Sequence, residues 1–374
     1  MAGPAGLRLL YVANPSSVHV LRWTRFFVER GHSVTVVDGF GSEPHPELQP
    51  EVRIVRYEPR GMSNVPFSGM LRARRRMHEV VSELEPDIIH AHTARRYAWH
   101  AALAGFHPYV VSVWGSDVLL PFPSWRSRLL TRVALHNADL VTAVTPQTRE
   151  AAIGRGARSG RTVEIHHGVD TELFRPGDVP EDTRRRLGIG NEPFVFSPRA
   201  LRPIYNHETV VEAAARVSGT HRLVVTSAGA DPEYRARVER LAASRLGQDR
   251  LVVVSVSSEA DLAALYRAAD VVISAALSDS FPLTIQEAMA SGTPVVAGDL
   301  PPIRAVFGTL APAALAPVTD PVAIGAALRH AIELGASERR ELGERLRAYV
   351  HEHADWREHM TRMEEHYRRL AMRG

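Results

Sequence analysis

Short runs of β-branched and aliphatic residues alternate with helix-like stretches along almost the whole chain, and the alternation breaks once. In the first half Leu7–Ala13, Ser33–Asp38, Val52–Tyr57, Ile88–His92, Tyr109–Val113, Leu140–Val144 and Val163–Ile165 read as strands. Apolar runs of this length, bounded by turn residues, suit strands covered on both faces. Val18–Arg30, Ser68–Glu85, Tyr97–Ala104, Ser124–Ala138 and Gln147–Gly154 read as helices, with a Pro/Gly-containing loop at 58–68. From His166 the texture changes to turn and cap residues, with one short helix near Asp182–Leu187. A second series starts at Phe194. Its strands are Arg222–Thr226, Leu251–Val256, Asp270–Ser274, Pro294–Ala297 and Ala314–Pro317, with helices near 206–217, 231–246, 258–268, 284–291 and 320–334. Residues 336–371 read as mostly helical, with a break near His353–Asp355. The pattern predicts an α/β chain of two Rossmann-like doubly wound domains, residues 1–168 and 193–353, facing each other across a cleft. A linker spans 169–192, and a terminal helix from about 354 to 374 packs back on the first domain.

Composition narrows the chemistry. The chain has 374 residues, 45% apolar and 23% charged, which is enough for two cores. No apolar run reaches about 18 residues, so no transmembrane helix is expected. MAGPAGLRLLYVAN has too short an apolar stretch for a signal peptide and runs into the first strand, so a cytoplasmic setting is expected. Cysteine is absent, which excludes disulfides, thiolate metal sites and a cysteine nucleophile. All 45 Lys+Arg residues are arginine, so an anion site must use Arg, His or backbone amides, and lysine Schiff-base chemistry is excluded. A formal charge of +3 argues against a dominant nucleic-acid surface. The cluster Arg72, Arg74, Arg75 and Arg76 reads as a solvated helix face. A peripheral contact with anionic lipid or another anionic partner stays open, as does a homodimer.

The segment Ser278–Ala297 carries the clearest chemistry. Asp279 to Leu283 forms a turn. A helix follows over Thr284–Ser291, with Ile285, Ala288 and Met289 facing inward, and Gly292-Thr293-Pro294 stops it. A helix starting at such a turn aims unpaired N–H groups and a positive dipole end at whatever lies in front, which suits a phosphate. Glu287 lies eight residues after Asp279, at the second turn of the helix, so both carboxylates can face one ligand. A hydroxyl-rich ligand bearing phosphate uses all of these features.

The segment resembles the donor loop of the retaining GT-B glycosyltransferases of family 4, the group 1 type, in Asp279, Phe281-Pro282-Leu283 and the run Glu287–Val296, EAMASGTPVV. His167–Pro176, HGVDTELFRP, is similar to the family's linker, Leu262–Ser274 to its helix–strand before the donor loop, and Ser17–Trp23 with Arg30-Gly31-His32 to the opening of one bacterial subgroup. Four such motifs in order cover most of the chain. The resemblance implies sugar transfer from a nucleoside-diphosphate sugar to an unidentified hydroxyl or amine acceptor. It implies retention of configuration and needs neither cofactor nor metal; no D-x-D motif or His/Asp ligand cluster appears.

By the same resemblance Glu287 binds the ribose hydroxyls and Asp279 the transferred sugar. Arg199 clamps the diphosphate, and His92 stands near the reacting hydroxyls. Ser16 and Ser17 approach the phosphates, while Ser280, Phe281, Pro282, Leu283 and Thr284 line the donor loop. The acceptor side draws on His19, Trp114 and Asp117. The family's usual lysine after Arg199 is missing, so Arg202 supplies the second charge, or Tyr205 and Asn206 hydrogen-bond the phosphates. Trp114 replaces a common histidine. Simpler roles stand beside these: Asp279 as a helix cap, Arg199 as a surface ion-pair partner, His92 as a strand-end residue, Trp114 as packing. Two other classes also remain, a nucleotide-sugar epimerase of the same fold and a non-catalytic Arg-rich protein that binds nucleic acid or lipid.

Overall fold

The computed structural model describes residues 6–39, 41–56, 67–166, 168–180, 182–279 and 281–373, with backbone alone at 67–70. Most of the 58–68 loop and Ser280 lie outside the described residues. The chain divides into two units, Met1–His167 with Arg357–Gly374, and Gly168–Trp356.

The first unit runs β1 (Arg8–Val12), α1 (Val18–Glu29), β2 (Ser33–Asp38), β3 (Arg53–Arg56), α2 (Phe67–Leu84), β4 (Ile88–His92), α3 (Arg96–Leu103), β5 (Tyr109–Val113), α4 (Ser116–Leu119), α5 (Trp125–Asn137), β6 (Leu140–Ala143), α6 (Pro146–Gly154) and β7 (Thr162–Glu164). The second runs α7 (Asp182–Arg186), β8 (Phe194–Ala200), α8 (His207–Ala214), β9 (Arg222–Thr226), α9 (Pro232–Arg245), β10 (Leu251–Val254), α10 (Glu259–Ala268), β11 (Val271–Ser274), α11 (Leu283–Ala290), β12 (Val295–Gly298), α12 (Pro301–Leu310), β13 (Leu315–Ala316), α13 (Pro321–Glu333) and α14 (Ala336–His353). Helix α15 (Trp356–Ala371) returns the chain to the first unit.

Both sheets are parallel. Their orders are β3-β2-β1-β4-β5-β6-β7 and β10-β9-β8-β11-β12-β13. Each therefore reverses its winding once, between β1 and β4 and between β8 and β11. Loops leaving the carboxyl ends of those strands diverge to opposite faces and open a crevice there. In the second sheet alternate residues serve opposite cores. Phe194, Phe196 and Val272 join α10, α11, α12 and α14, whereas Val195, Val271 and Ile273 join α8, α9 and α13.

The donor-loop helix is fixed by close packing. Ile285, Ala288 and Met289 are fully buried, as their spacing predicts. Gly292 ends the helix with φ 71°, and a Cβ on Gly343 of α14 would stand 2.5 Å from the Gly292 carbonyl oxygen. Only glycine allows α14 this approach. Sequence reading missed α12, whose start at Pro301-Pro302 looks like a loop; proline is tolerated in a first helical turn, where its absent N–H has no partner to lose. It also missed the short α4.

In the first unit α15 is tied to the sheet by polar contacts. Glu364 pairs with Arg30 and lies 3.2 Å from His32 Nε2, and Tyr367 OH hydrogen-bonds His90 Nδ1. His90 Nε2 meets Ser112 Oγ at 2.8 Å, and that hydroxyl meets Thr142 Oγ1 at 2.6 Å, linking three neighbouring strands. Among the described residues no helix is long and apolar enough to cross a membrane.

Candidate functional site

In the second unit the residues gather where β8 and β11 part. Arg199, near the end of β8, forms an ion pair with Asp279 at 2.7 Å, both side chains largely buried at 16% and 14% exposure. The guanidinium lies 4.0 Å from the centre of the Tyr205 ring, and its Nη1 reaches Thr284 Oγ1 at 3.4 Å. A planar cation held by a carboxylate and an aromatic face keeps one orientation. Asp279 does not cap α11: Pro282 holds that position, and its carbonyl accepts from the N–H groups of Ile285 and Gln286 at 3.1 and 3.2 Å. Gln286 Nε2 donates to Phe281 O at 2.8 Å and shapes the turn. Glu287 is 3% exposed and accepts from Tyr266 OH at 3.0 Å. Tyr266, fully buried on α10 beside Phe174 and Phe196, thereby sets the carboxylate's direction.

Three candidates are offered in place of the missing lysine, Arg202, Tyr205 and Asn206. The Asn206 amide donates to the carbonyls of Ala275 and Val318 at 3.2 and 2.8 Å, and its oxygen accepts from Thr209 Oγ1. Both amide protons are engaged in the fold, so the expected phosphate contact from this side chain is corrected. Asn206 instead closes the turn before α8 in a left-handed conformation, φ 57°. Arg202 is exposed and donates through Nε to Gly229 O at 2.6 Å, leaving the rest of its fork at the surface. Tyr205 serves Arg199 as a stacking face.

In the first unit the site forms where β1 and β4 part. Asn14 Oδ1 accepts from the Ser16 N–H and hydroxyl at 3.0 and 2.8 Å, and Ser17 N–H donates to Asn14 O at 3.1 Å. The expected phosphate-facing amides of Ser16 and Ser17 are thus directed at Asn14. His92 ends β4, 1% exposed, and neither ring nitrogen has a hydrogen-bond partner among the described residues. Its ring sits among Tyr11 at 4.7 Å, Trp23 at 5.0 Å and Trp114 at 5.5 Å. Burial, then the neighbouring His90 and His19, hold it well below the usual histidine range, so it is neutral at pH 7. His19, 5.2 Å from Trp114, is lowered to about 4 by burial and then Arg22.

Asp117 is a scaffold residue. It accepts from the backbone N–H of Ala94, Trp114 and Gly115 at 2.8, 3.0 and 2.8 Å. Burial pushes its carboxyl above the usual carboxylate range, while these bonds oppose the rise. The clamp joins the loops after β4 and β5. It holds Thr93 at φ 91°, a conformation a β-branched residue adopts only when its surroundings enforce it.

Residues 8–145 match the family model described as glycosyl transferase 4-like, and residues 179–349 match glycosyl transferases group 1. The chain thus carries a glycosyl transferase 4-like domain followed by a glycosyl transferases group 1 domain. Curated relatives named D-inositol 3-phosphate glycosyltransferase, from Mycobacterium bovis and Mycobacterium tuberculosis, are 35% identical over 171 residues, which is 43% of this chain. The match spans 35% of those relatives' own length. Among solved structures, a glycosyltransferase from Rickettsia africae covers 98% of the chain and 98% of its own at a TM-score of 0.83 and 19% identity. Sucrose-phosphate synthase from Thermosynechococcus elongatus covers 98% and 99% at 0.79 and 22%. Anabaena Alr3699/HepE in complex with UDP and glucose covers 97% and 100% at 0.79 and 19%. The fold is GT-B.

Within the group 1 domain, Arg199, Asp279, Thr284 and Glu287 come together around the first turns of α11. His19, His92 and Trp114 come together in the other unit. Tyr266 was missed because a tyrosine in LYRAAD reads as core; its partner is set by helix packing alone.

Proposed function

We propose that the chain transfers a sugar from a nucleoside-diphosphate sugar to a hydroxyl or amine acceptor, with retention of configuration and without a metal ion. The carrying observation is the placement of Glu287, Arg199 and Asp279 around the start of α11, at the point where the second sheet reverses. Glu287, aimed by Tyr266, accepts from the ribose hydroxyls. Arg199 and the N-terminal turn of α11 meet the diphosphate. Asp279, which balances Arg199 before the ligand arrives, turns toward hydroxyls of the sugar. The UDP and glucose complex of the Anabaena neighbour supports a nucleotide-sugar donor here.

The chemistry follows from charge. The bond from the anomeric carbon to the diphosphate oxygen breaks, and the leaving group gains negative charge, which Arg199 and the helix end stabilise. The acceptor oxygen attacks the anomeric carbon on the same face, and its proton passes to the departing phosphate oxygen. To His92, neutral and in the first unit, we assign a hydrogen bond to the acceptor. We place the reaction in the cytoplasm.

A thermal-shift panel of UDP-, GDP- and dTDP-sugars tests this reading, followed by NMR of the product's anomeric proton. One donor family raising the melting temperature, with an unchanged anomeric configuration in the product, is the expected result. No shift with any nucleotide sugar overturns it. Release of a free epimerised sugar assigns the site to an epimerase instead.

A further inference from the structure

Helix α5 turns an apolar stripe toward solvent. Trp125, Leu129 and Val133, four residues apart, are 69%, 52% and 46% exposed, while Ser127, Thr131, Ala134 and Leu135 on the other side are buried. A row of large apolar side chains outside the core calls for a partner. Before it in the chain, Leu119 at the end of α4 and Leu120 in the loop leading to α5 are also exposed. That loop is held firmly. Arg95 donates to the carbonyls of Asp117, Leu120 and Pro121 at 3.0, 3.0 and 3.2 Å, and the guanidinium groups of Arg95 and Arg155 lie 4.8 and 4.6 Å from the Phe122 ring centre.

Charge decides between partners. No acidic residue occurs from Val118 to Ala138, whereas Arg126, Arg128 and Arg132 are exposed and Arg126 lies over the Trp125 ring at 5.5 Å. Helix α3 packs against both α5 and α2, so the exposed Arg72, Arg74, Arg75 and Arg76 of α2 belong to the same side of the sheet. There Arg75 and Arg76 are already paired with Glu79. A second copy docking by two-fold symmetry would set these arginines against one another. A nucleic acid would leave the tryptophan, leucine and valine row in water.

We propose that α5 and the Leu120–Pro123 loop dock on a bilayer of anionic phospholipid. Trp125, Leu129 and Val133 enter the headgroup–acyl boundary, and Arg126, Arg128 and Arg132 meet the phosphates. This inference stands independently of the sugar-transfer reading.

The test is co-sedimentation of the full chain with sucrose-loaded vesicles of phosphatidylglycerol and phosphatidylcholine, or of phosphatidylcholine alone. Binding to the anionic vesicles is expected, weakening as salt rises. The triple change Arg126→Glu, Arg128→Glu, Arg132→Glu should lower partitioning at least tenfold. Trp125→Ser with Leu129→Ser should lower it about tenfold, while Arg74→Glu leaves it within about twofold. Circular dichroism of each variant confirms the fold. Absence of binding to anionic vesicles, or equal binding by the triple variant, overturns the proposal. Concentration-dependent dimerisation that Trp125→Ser abolishes overturns it too, assigning the stripe to a second copy.

Discussion

Arg199 and Asp279 form a 2.7 Å ion pair where the second sheet reverses its winding. The residue we assign to the diphosphate and the one we assign to the sugar thus form one unit. Arg199→Ala should lower turnover about 10²- to 10³-fold with little change in melting temperature. Asp279→Asn should separate the two roles. It leaves the arginine unbalanced, so UDP itself binds as tightly or tighter, while kcat with the full donor falls. Calorimetry with UDP beside steady-state kinetics reads that split; parallel losses in both would show Asp279 acting on the nucleotide alone.

Glu287 is buried against Tyr266 OH, so its removal deletes a charged acceptor without opening a large cavity. Glu287→Ala should weaken nucleotide binding about 10- to 100-fold, the range of about 1.5–3 kcal/mol for hydrogen bonds to a charged group. Tyr266→Phe should show a smaller loss of the same kind. Titration calorimetry gives both numbers.

Asp117 satisfies three backbone N–H groups in two loops. Asp117→Ala leaves those donors without an acceptor and should cost about 2–4 kcal/mol of stability. Asp117→Asn, which keeps an accepting oxygen, should recover part of it. Denaturant unfolding separates the variants, and donor affinity should stay close to the parent's.

Gly343 lets α14 approach the Gly292 carbonyl. Gly343→Ala should cost about 1–3 kcal/mol through overpacking, and nucleotide affinity should fall with it because α11 carries Glu287. A melting curve without and with donor checks both effects.

Buried neutral histidines predict loss of stability in acid. His19, His100, His207 and His221 are lowered to about 4 and His90 to about 3, chiefly by burial. Below about pH 6.5 the unfolded chain takes up protons that the folded chain refuses. Stability therefore falls as pH drops from about 6.5 toward 4, by about 1.4 kcal/mol per pH unit for each such histidine. Urea unfolding at pH 7, 6 and 5 measures the slope. His100→Phe, a change of similar volume, should reduce it by about one proton.

The sequence alone determined the two βα series, the buried face of α11, the break near His353–Asp355 and the segment that carries Glu287 and Asp279. These are local properties, since residue spacing reports periodicity and a glycine or proline punctuates it wherever the chain later goes. Helix α12 escaped because its two prolines look the same in a loop and in a first helical turn. The tertiary structure decided which side chains were free to act. Asn206 and Asp117 read as ligand groups, yet each is bound to backbone supplied by strands or loops 20 or more residues away. Tyr266 read as core, yet it directs Glu287 across two helices. Which polar groups become partners depends on strand order and helix packing. Residue spacing along the chain carries no record of either.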